Sequence, residues 1–412
     1  MHEMKYSDVE WIGEIPAHWI VEKFKLHLVR NEPRNPGNVP VLSLYRELGI
    51  VLKDSRNDNH NTTSEDTSNY KFVRKGDFVI NKMKSWQGSV AVSNYDGIVS
   101  PAYFIYNFTD NAFYKLYFHY LLRGCYKDEF MRLSGGIRVG QWDLSSKALE
   151  NVPVLIPPID EQQKIADYLD EKCNNIDYIT SGLKKQTETL KAYKKSLITE
   201  VVTKSLNPDV KMKDSGIEWI GEIPEHWEVK KLKYSCRTRN EKYKLSDGKL
   251  DYFALENIIS WDSKYIETES IYQFEGANLC YKGDVVFGKL RPYLAKTFLV
   301  DYDRCCSSEF AVFCNFQGVS EYYLYLFTEQ GFINTVDNST YGVKMPRANI
   351  EFIENMFIPV PPIEEQKKIA DYLDEKCTKI DRIISEKKQQ IEIIEEYKKS
   401  LIYEVVTGKK EI

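Results

Sequence analysis

A long segment of this chain occurs twice, and this duplication constrains the fold more than any other feature. The first copy runs from Ile159 to about Lys204, and the second runs from Ile363 to about Lys409. Residues 164–173 are identical to residues 368–377, an offset of 204 (368 − 164) in a chain of 412 residues. The chain therefore consists of two related halves, each ending in the same segment.

Both copies are predicted to be α-helices. Each follows a double proline, Pro157-Pro158 or Pro361-Pro362, which ends the preceding segment. Asp160 and Gln163 have the spacing of a capping box at the start of the first helix. The pair Asn174-Asn175 marks a point at which this helix could break into a short and a long part.

Apolar residues recur every seven positions along the first helix, which is typical of a coiled-coil seam. Ile179 and Val201 are assigned to the same face, and Lys387 interrupts the strict repeat in the second copy, so a less regular seam is expected there. The alternative is a core face inside an ordinary globular domain. Two copies at the ends of two half-chains favour pairing with each other. The residues predicted to pair are Ile176, Leu183, Leu190, Leu197, Ile380, Ile384, Ile391, Ile394 and Leu401.

Composition places the chain among ordinary globular proteins of two or three domains, with 42% hydrophobic and 28% charged residues. A net charge of −5 argues against a surface that binds nucleic acid everywhere, but it allows a local basic face. The eight cysteines show no CxxC pair, which predicts reduced thiols in a cytoplasmic protein. No leader sequence and no apolar run of about 18 residues is seen, so neither secretion nor membrane insertion is expected.

Shorter repeats divide each half into a variable region and the long segment. Residues 4–19 return at 212–227, and Lys75-Gly76-Asp77 returns as Lys282-Gly283-Asp284. Alternating apolar runs in the variable regions predict strands, and the polar tract 53–70 predicts a loop. The predicted divisions are a first variable domain at 1–156, a first helix region at 157–204, a linker at 205–215, a second variable domain at 216–360 and a second helix region at 361–409.

Basic residues alternate with aromatic and amide side chains in matching stretches of both variable regions, 81–89 and 288–296. Such side chains can position phosphates and reach base edges. The segments 136–141 and 342–347 are better candidates, because their glycines permit close backbone approach. Arg304 adds a further cation, although for each basic residue the alternative is a solvated surface charge. The candidate DNA-binding residues are Lys82, Lys84, Trp86, Gln87, Arg138, Gln141, Arg237, Lys289, Arg291, Tyr293, Lys344 and Arg347.

With these blocks in place, the chain resembles the specificity (S) subunit of type I restriction-modification systems. The resemblance rests on the blocks PPIDEQQKIADYLDEKCNNID and PPIEEQKKIADYLDEKCTKID, on SGIEWIGEIPEHWEVKKLK with its shorter counterpart at the start, and on KGDVVFGKLRPYLAK. It extends over essentially the whole chain. Together with the repeats, it implies an α+β fold in which two mixed α/β target recognition domains are separated by two long helices. These helices would pair as an antiparallel coiled coil with an internal pseudo-two-fold repeat.

The resemblance also implies a non-catalytic function. Each target recognition domain would read one half of a bipartite double-stranded DNA target, while the helices space the domains and dock two modification (methyltransferase) subunits. Restriction (translocase and nuclease) subunits would complete the enzyme. S-adenosylmethionine, ATP and Mg²⁺ are implied for those partners, and no cofactor is expected in this chain. Lysines expected on exposed helix faces could dock partners or simply be solvated: Lys184, Lys185, Lys191, Lys194, Lys387, Lys388, Lys398 and Lys399.

Two other classes of function stay open. A coiled-coil scaffold whose variable domains bind proteins would have the same repeats, and a gel shift of split DNA that depends on the modification subunit would separate the two. A stand-alone nuclease or methyltransferase would show turnover by itself. The sequence contains no NPPY or DPPY tetrapeptide, no GxGxxG, no GxxxxGK[ST] and no HExxH. A specificity subunit is therefore the favoured prediction.

Overall fold

The chain forms two compact units in a computed structural model, which describes residues 3–46, 49–55, 66–136, 142–244, 250–268, 276–340 and 345–412. Unit 1 comprises Met1–Leu183 and Gln389–Ile412, and unit 2 comprises Lys184–Lys388. Each unit therefore contains one variable region and a part of each long helix. The divisions predicted from the sequence stay a prediction.

Eight α-helices and 25 strands are assigned within the described residues, besides short 3₁₀ turns. None of these helices combines the length and the apolarity needed to cross a membrane. The helices are α1 (Lys115–Cys125), α2 (Lys127–Leu133), α3 (Ser146–Glu150), α4 (Ile159–Lys204), α5 (Ser320–Phe327), α6 (Gln330–Asn338), α7 (Ile350–Asn355) and α8 (Ile363–Val406). The strands before α4 are β1 (Met4–Tyr6), β2 (Glu14–Pro16), β3 (Ile20–Lys23), β4 (Leu28–Arg30), β5 (Leu42–Tyr45), β6 (Gly49–Leu52), β7 (Lys71–Val73), β8 (Phe78–Asn81), β9 (Val90–Val92), β10 (Gly97–Val99), β11 (Tyr103–Phe108), β12 (Ser134–Gly135), β13 (Asp143–Leu144) and β14 (Pro153–Ile156). The strands between α4 and α8 are β15 (Met212–Asp214), β16 (Glu222–Pro224), β17 (Glu228–Lys231), β18 (Arg237–Arg239), β19 (Tyr252–Phe253), β20 (Asn278–Cys280), β21 (Val285–Gly288), β22 (Thr297–Leu299), β23 (Arg304–Cys306), β24 (Phe310–Cys314) and β25 (Phe357–Val360).

Both long helices are continuous, with 46 residues in α4 and 44 in α8. A break at Asn174-Asn175 is therefore wrong. Both asparagines are exposed, while Cys173 and Ile176 on either side of them are buried. Burial of these apolar neighbours holds the turn helical although asparagine is a weak helix former, because packing outweighs intrinsic propensity.

Burial along α4 follows alternating steps of three and four residues. The buried or half-buried positions that follow these steps are 173, 176, 180, 183, 187, 190, 194, 197 and 201. Thr180 and Thr187 therefore belong to this seam. The assignment of Ile179 to it was wrong, since its side chain is 50% exposed beside buried Thr180. The spacing rather than the polarity of each residue determines which positions lie inside.

The seam of α8 is as regular as that of α4. Its buried or half-buried positions are 377, 380, 384, 387, 391, 394, 398, 401 and 405. The predicted irregularity at Lys387 is thus wrong, because Lys387 occupies a seam position and donates from Nζ to Oε1 of Gln186 at 2.6 Å. A lysine can bury its aliphatic stem while its ammonium group reaches a polar partner.

Unit 1 is built around a four-stranded antiparallel sheet with strand order β4-β11-β8-β9. Aromatic rings fill the space between this sheet and α1, among them Phe24, Phe78 and Phe118. Apolar residues from both long helices complete the same core. They are Ile165, Ala166, Leu169 and Ile176 of α4 and Leu401, Val405 and Val406 of α8.

Unit 2 repeats this arrangement with strand order β18-β24-β21-β22, and it adds a three-stranded sheet with order β19-β23-β20. The residues that the long helices contribute to its core are Leu197, Ile198, Val201 and Val202 of α4 and Ile369, Leu373, Cys377, Ile380 and Ile384 of α8. An equivalent tyrosine in each variable region contacts the C-terminal end of one long helix. The hydroxyl of Tyr117 lies 3.3 Å from the carbonyl oxygen of Val406, and that of Tyr322 lies 3.3 Å from that of Val202.

In each unit an ion pair links α4 to α8. Lys398 Nζ lies 2.6 Å from Asp177 Oδ1 in unit 1, and Lys194 Nζ lies 2.7 Å from Asp381 Oδ1 in unit 2. The two pairs correspond at the repeat offset of 204 (398 − 194 and 381 − 177). The expectation that Lys194, Lys387 and Lys398 lie on exposed faces is therefore wrong, because they are seam residues with polar partners. Burial opposes the charge of Lys194, but Asp381 and Asp262 outweigh it and raise its pKa.

His119 of α1 provides a prediction about acid stability. Burial and the positive charge of Arg123 lower the pKa of His119 to about 3, against about 6.5 for an unfolded histidine. Below pH 6.5 the unfolded chain gains a proton that folded unit 1 does not, so stability falls as the pH falls. We expect a loss of about 1–2 kcal/mol from this residue between pH 7 and pH 5. Urea unfolding at both pH values should show a smaller loss for His119→Gln, and an equal loss would contradict this account.

Candidate nucleic-acid interface

The stretch of unit 2 that follows β21 forms a tight loop, the unit 2 loop (residues 289–296). A backbone hydrogen bond of 2.8 Å from Gly288 N to Lys296 O closes it, and a 3₁₀ turn spans Pro292–Leu294. Arg291 and Ala295 have left-handed backbone conformations, with φ of 52° and 46°. Such conformations cost a non-glycine residue about 1–3 kcal/mol and concentrate at functional sites. The loop is therefore a candidate site on backbone geometry as well as on composition.

Unit 1 contains the same loop at an offset of 207, the unit 1 loop (residues 82–89). The closing hydrogen bond runs from Asn81 N to Ser89 O at 3.0 Å, and a 3₁₀ turn spans Ser85–Gln87. Gly88 occupies the position of Ala295, again with a left-handed backbone, at φ 84°. The two loops therefore share the closing hydrogen bond, the 3₁₀ turn and the left-handed residue after it, whereas Lys84, at the position of Arg291, has φ −127°. Their side chains differ.

A second segment lies against each loop and is held by matching backbone hydrogen bonds. In unit 2, Ala348 N donates to Lys289 O at 2.8 Å, and Arg291 N donates to Pro346 O at 2.8 Å. In unit 1, Leu144 N donates to Lys82 O at 2.9 Å. These segments continue from the glycine-containing stretches that were separate candidates in the sequence. In each unit the fold thus brings the loop and the described residues that follow the second candidate stretch into one surface patch.

The unit 2 patch is basic. Arg291 and Tyr293 are exposed on the unit 2 loop, and exposed Arg347 donates from Nη2 to Oε1 of Glu309 at 2.6 Å. Burial lowers the pKa of Lys289, the carboxylate of Glu309 counteracts this, and the charges of Lys242 and Arg347 lower it further. Several cations therefore share a small area in a chain whose net charge is negative, which suits an anionic ligand such as a nucleic-acid backbone.

The unit 1 patch presents different chemistry. Lys84 is exposed, whereas Lys82 pairs with Asp143 at 3.0 Å. The ring of Trp86 meets that of Trp142 edge-on, with 5.3 Å between centroids. The side-chain oxygen of Gln87 accepts a hydrogen bond from Arg46. An indole and an amide thus stand where unit 2 has a tyrosine and a leucine, so the two patches have different contact groups.

Other candidates lie elsewhere. Arg138, Gln141 and Lys344 are outside the described residues. Arg237 is exposed on β18 opposite Cys314, whereas Gly288, next to the unit 2 loop, pairs with Phe310 at the other end of β24. Arg237 is therefore separate from the patch, and its role as a DNA contact stays a prediction.

The prediction that Arg304 adds a cation for DNA binding is wrong, because this side chain is buried and cannot reach a ligand at the surface. Its guanidinium lies 3.8 Å from the ring centroid of Tyr302 and pairs with Asp301 at 2.9 Å.

Three residues of the patches were not among the candidates taken from the sequence. They are Glu309, Trp142 and Arg46, which contribute to the patches through contacts with other residues of the patches. The only sequence signal was the replacement of Ala102 by Glu309 at the repeat offset of 207. Within the described ranges, no group of three or more His, Cys, Asp or Glu side chains is arranged to hold a metal ion.

A known protein family matches both segments of the chain that contain these loops. The family model described as the type I restriction modification DNA specificity domain matches residues 23–189 and 224–393, so each match takes in one variable region and much of one long helix. The chain belongs to the type I restriction-modification specificity family. The unit 1 loop and the unit 2 loop lie inside the two matched segments.

Relatives and solved structures agree with this family. The MjaVIII specificity subunit of Methanocaldococcus jannaschii is 27% identical over 71% of this chain and 70% of its own length. The putative MjaX specificity subunit of the same organism is 25% identical over 97% of this chain and 95% of its own length. A chain from a type I R-M system, solved to study complex assembly and conformational transition, superposes with a TM-score of 0.73 at 14% identity, covering 96% of this chain and 99% of that one. The HsdS subunit of Thermoanaerobacter tengcongensis superposes with a TM-score of 0.54 at 14% identity, covering 96% and 98%. These structures share the fold of this specificity subunit.

Proposed function

We propose that this specificity subunit recognises a bipartite double-stranded DNA target, one half-site with the patch of each unit. The observation that carries the proposal is the recurrence of one loop design with different side chains. A common backbone frame suits a common ligand, while Lys84 and Trp86 in place of Arg291 and Tyr293 suit different bases. The target would then consist of two unlike half-sites.

The chemistry of the patches supports DNA rather than an acidic protein surface. Basic side chains on a loop can neutralise phosphates, which gives affinity without sequence information. An exposed arginine such as Arg291 can also donate two hydrogen bonds to guanine in the major groove. Trp86 and Tyr293 supply planar surfaces of the kind that contact bases and sugars. Affinity and discrimination would thus come from the same loop.

We further propose that α4 and α8 pair as an antiparallel coiled coil with a pseudo-two-fold repeat and set the gap between the half-sites. The corresponding ion pairs Lys398–Asp177 and Lys194–Asp381 support this, as does the unbroken heptad burial of both helices. Two readers related by a rough two-fold axis match the symmetry of a DNA duplex. The predicted pairing residues lie on the buried or half-buried side of their helices.

The repeated helices also suit two copies of one partner. We propose that two modification (methyltransferase) subunits dock on them and that restriction subunits complete the assembly. The transfer of methyl groups with S-adenosylmethionine, and the ATP- and Mg²⁺-dependent steps, would belong to those partners, and this chain would be non-catalytic and cytoplasmic. The relatives whose names describe specificity subunits support this division of roles.

Sequencing of methylated adenines tests the proposed function. Cells that produce this chain with its cognate modification subunit should methylate a motif of two short sequences with a fixed gap. Cells that produce the modification subunit alone should not. A contiguous motif, or no methylation that depends on this chain, would contradict the proposal. Stable binding of proteins without any binding of DNA would favour the scaffold alternative.

Arg291→Ala tests the reading role of the unit 2 loop. We expect the complex to lose about 10- to 100-fold in affinity for its target, because an arginine in contact with a base contributes about 1–3 kcal/mol of discrimination. The matched control is Lys282→Ala, which removes an exposed charge in the turn at the other end of β21. Titration of target DNA by fluorescence anisotropy at fixed salt would measure both. If both variants lowered the affinity for target DNA equally, Arg291 would contribute only non-specific charge and its reading role would be contradicted.

A further inference from the structure

A short hairpin in unit 2, the brace hairpin (residues 258–266), projects from the variable region onto the long helices. Its ends are held by the bridge between Ile258 and Tyr265 and by a hydrogen bond of 2.8 Å from Ile266 N to Asn257 O. At its tip, Trp261 and Ser263 have left-handed backbones with φ of 66° and 53°. These conformations are unfavourable for non-glycine residues, so the contacts of the tip must hold it in place.

The tip extends the ion pair between the helices into a chain of four charges. Asp262 Oδ1 lies 3.1 Å from Lys194 Nζ, which lies 2.7 Å from Asp381 Oδ1. The other oxygen of Asp381, Oδ2, lies 2.6 Å from Lys264 Nζ. The signs alternate, so each inner charge has an opposite charge on both sides. The tip is thereby bonded to α4 and α8 at once.

The brace hairpin covers the inner pair of this chain of charges. The side chains of Lys194 and Asp381 are 10% and 13% exposed, whereas those of the corresponding pair in unit 1, Lys398 and Asp177, are 26% and 62% exposed. Ion pairs shielded from water are screened less by salt than exposed pairs. The ring of Trp261 adds a further contact, with Lys195 Nζ 3.5 Å from its centroid.

The other side of the brace hairpin contacts the base of the unit 2 loop. Ser263 Oγ lies 2.9 Å from Oγ1 of Thr297, which is buried and follows Lys296 directly. Lys296 Nζ donates to the carbonyl oxygen of Leu255, just before the hairpin, at 2.6 Å. A continuous series of polar contacts therefore runs from the helix pair, through the hairpin, to the loop proposed to read DNA.

We propose that the brace hairpin holds the unit 2 loop at a set position on the helix pair and thereby restricts the gap between half-sites that the complex accepts. Asp262, Lys194, Asp381 and Lys264 are then positioning residues that do not touch DNA. This inference rests on the proposed function. Without the charge chain, the variable region of unit 2 pivots on its remaining apolar contacts, and targets with altered gaps become substrates.

The test compares Asp262→Asn with the unchanged chain in the complete complex with its modification subunits. Methylation rates are measured on duplexes with the native gap and with gaps one base pair shorter and longer. We expect the preference for the native gap to fall by about 3- to 10-fold, because one charge-assisted hydrogen bond is lost. The bases required in both half-sites should stay the same, and Asp262→Glu should restore most of the preference.

Glu267→Gln is the matched control, because it removes an exposed carboxylate directly after the brace hairpin. It should leave the gap preference unchanged. An unchanged preference in Asp262→Asn would overturn the positioning role while leaving the proposed function intact. Altered base requirements in Asp262→Asn would also overturn it, because the hairpin would then belong to the reading surface. An unchanged chain that directs no methylation to a split target would overturn the proposed function and the positioning role together.

Discussion

Removal of one heptad from each long helix is expected to reduce methylation of the native target by about 100-fold, because one half-site then loses most of its contacts. The deletions are residues 187–193 of α4 and 382–388 of α8. Lys194 faces Asp381 in unit 2, so these two stretches lie opposite each other. Removing seven residues from both keeps the heptad register, so the seams still match. Each helix becomes shorter by about 10 Å, the length of about three base pairs.

The same variant should gain activity on targets whose gap is shorter by a few base pairs. A panel of duplexes with gaps from the native length down to five base pairs fewer would locate the new optimum. The matched control replaces residues 187–193 with their repeat counterparts 391–397, which changes the side chains and keeps the length. This control should retain the native gap. Full activity of the deletion variant on the native target would show that the helices do not set the gap.

Trp227→Ala is expected to destabilise unit 2 by about 3–5 kcal/mol, the usual cost of removing a buried tryptophan. The ring is fully buried in the core that unit 2 builds with both long helices. Its Nε1 also donates to Oε2 of Glu365 at 3.0 Å, in the first turn of α8. The alanine leaves a cavity and removes this hydrogen bond. Urea unfolding, followed by hydrogen exchange of peptides from unit 2, would measure the loss.

Two variants separate the causes of that loss. Trp227→Phe keeps most of the apolar volume and removes the hydrogen bond, so a smaller loss of about 1–2 kcal/mol is expected. Trp19→Ala removes the counterpart in unit 1, whose Nε1 donates to Oε2 of Glu161 at 2.9 Å. It should speed hydrogen exchange in peptides of unit 1 first. Equal exchange in both units for either variant would contradict the assignment of each tryptophan to its own core.

The long helices were the most predictable part of the fold. Their starts at Ile159 and Ile363 are confirmed, and α8 ends at Val406, close to the predicted end near Lys409. Double prolines and heptad spacing act within a few residues, so a single segment contains the whole signal. Lys84, Arg291 and Tyr293 are exposed on matching loops, and their role as DNA contacts stays a prediction.

The wrong predictions concern positions whose burial depends on how the folded chain packs around them. Ile179 lies outside the seam and Thr180 inside it, because the steps of three and four residues rather than hydrophobicity place a side chain on the buried face of the helix. Lys194 and Arg304 were taken for surface cations, but both are buried. Lys194 pairs with Asp381, which is distant in the chain, and Arg304 pairs with the nearby Asp301. A charge is readily assigned to the surface from sequence, and only its partner explains its burial.

The amino-acid sequence was sufficient for the duplication, the two long helices, the family and the basic character of the candidate loops, because each of these depends on local spacing or on similarity between segments. The tertiary structure alone brought Lys289, Arg347 and Glu309 into one patch and joined Lys194 to both Asp262 and Asp381. Such contacts join residues tens to hundreds of positions apart. They depend on how the whole chain closes around its buried surface, which no local pattern encodes.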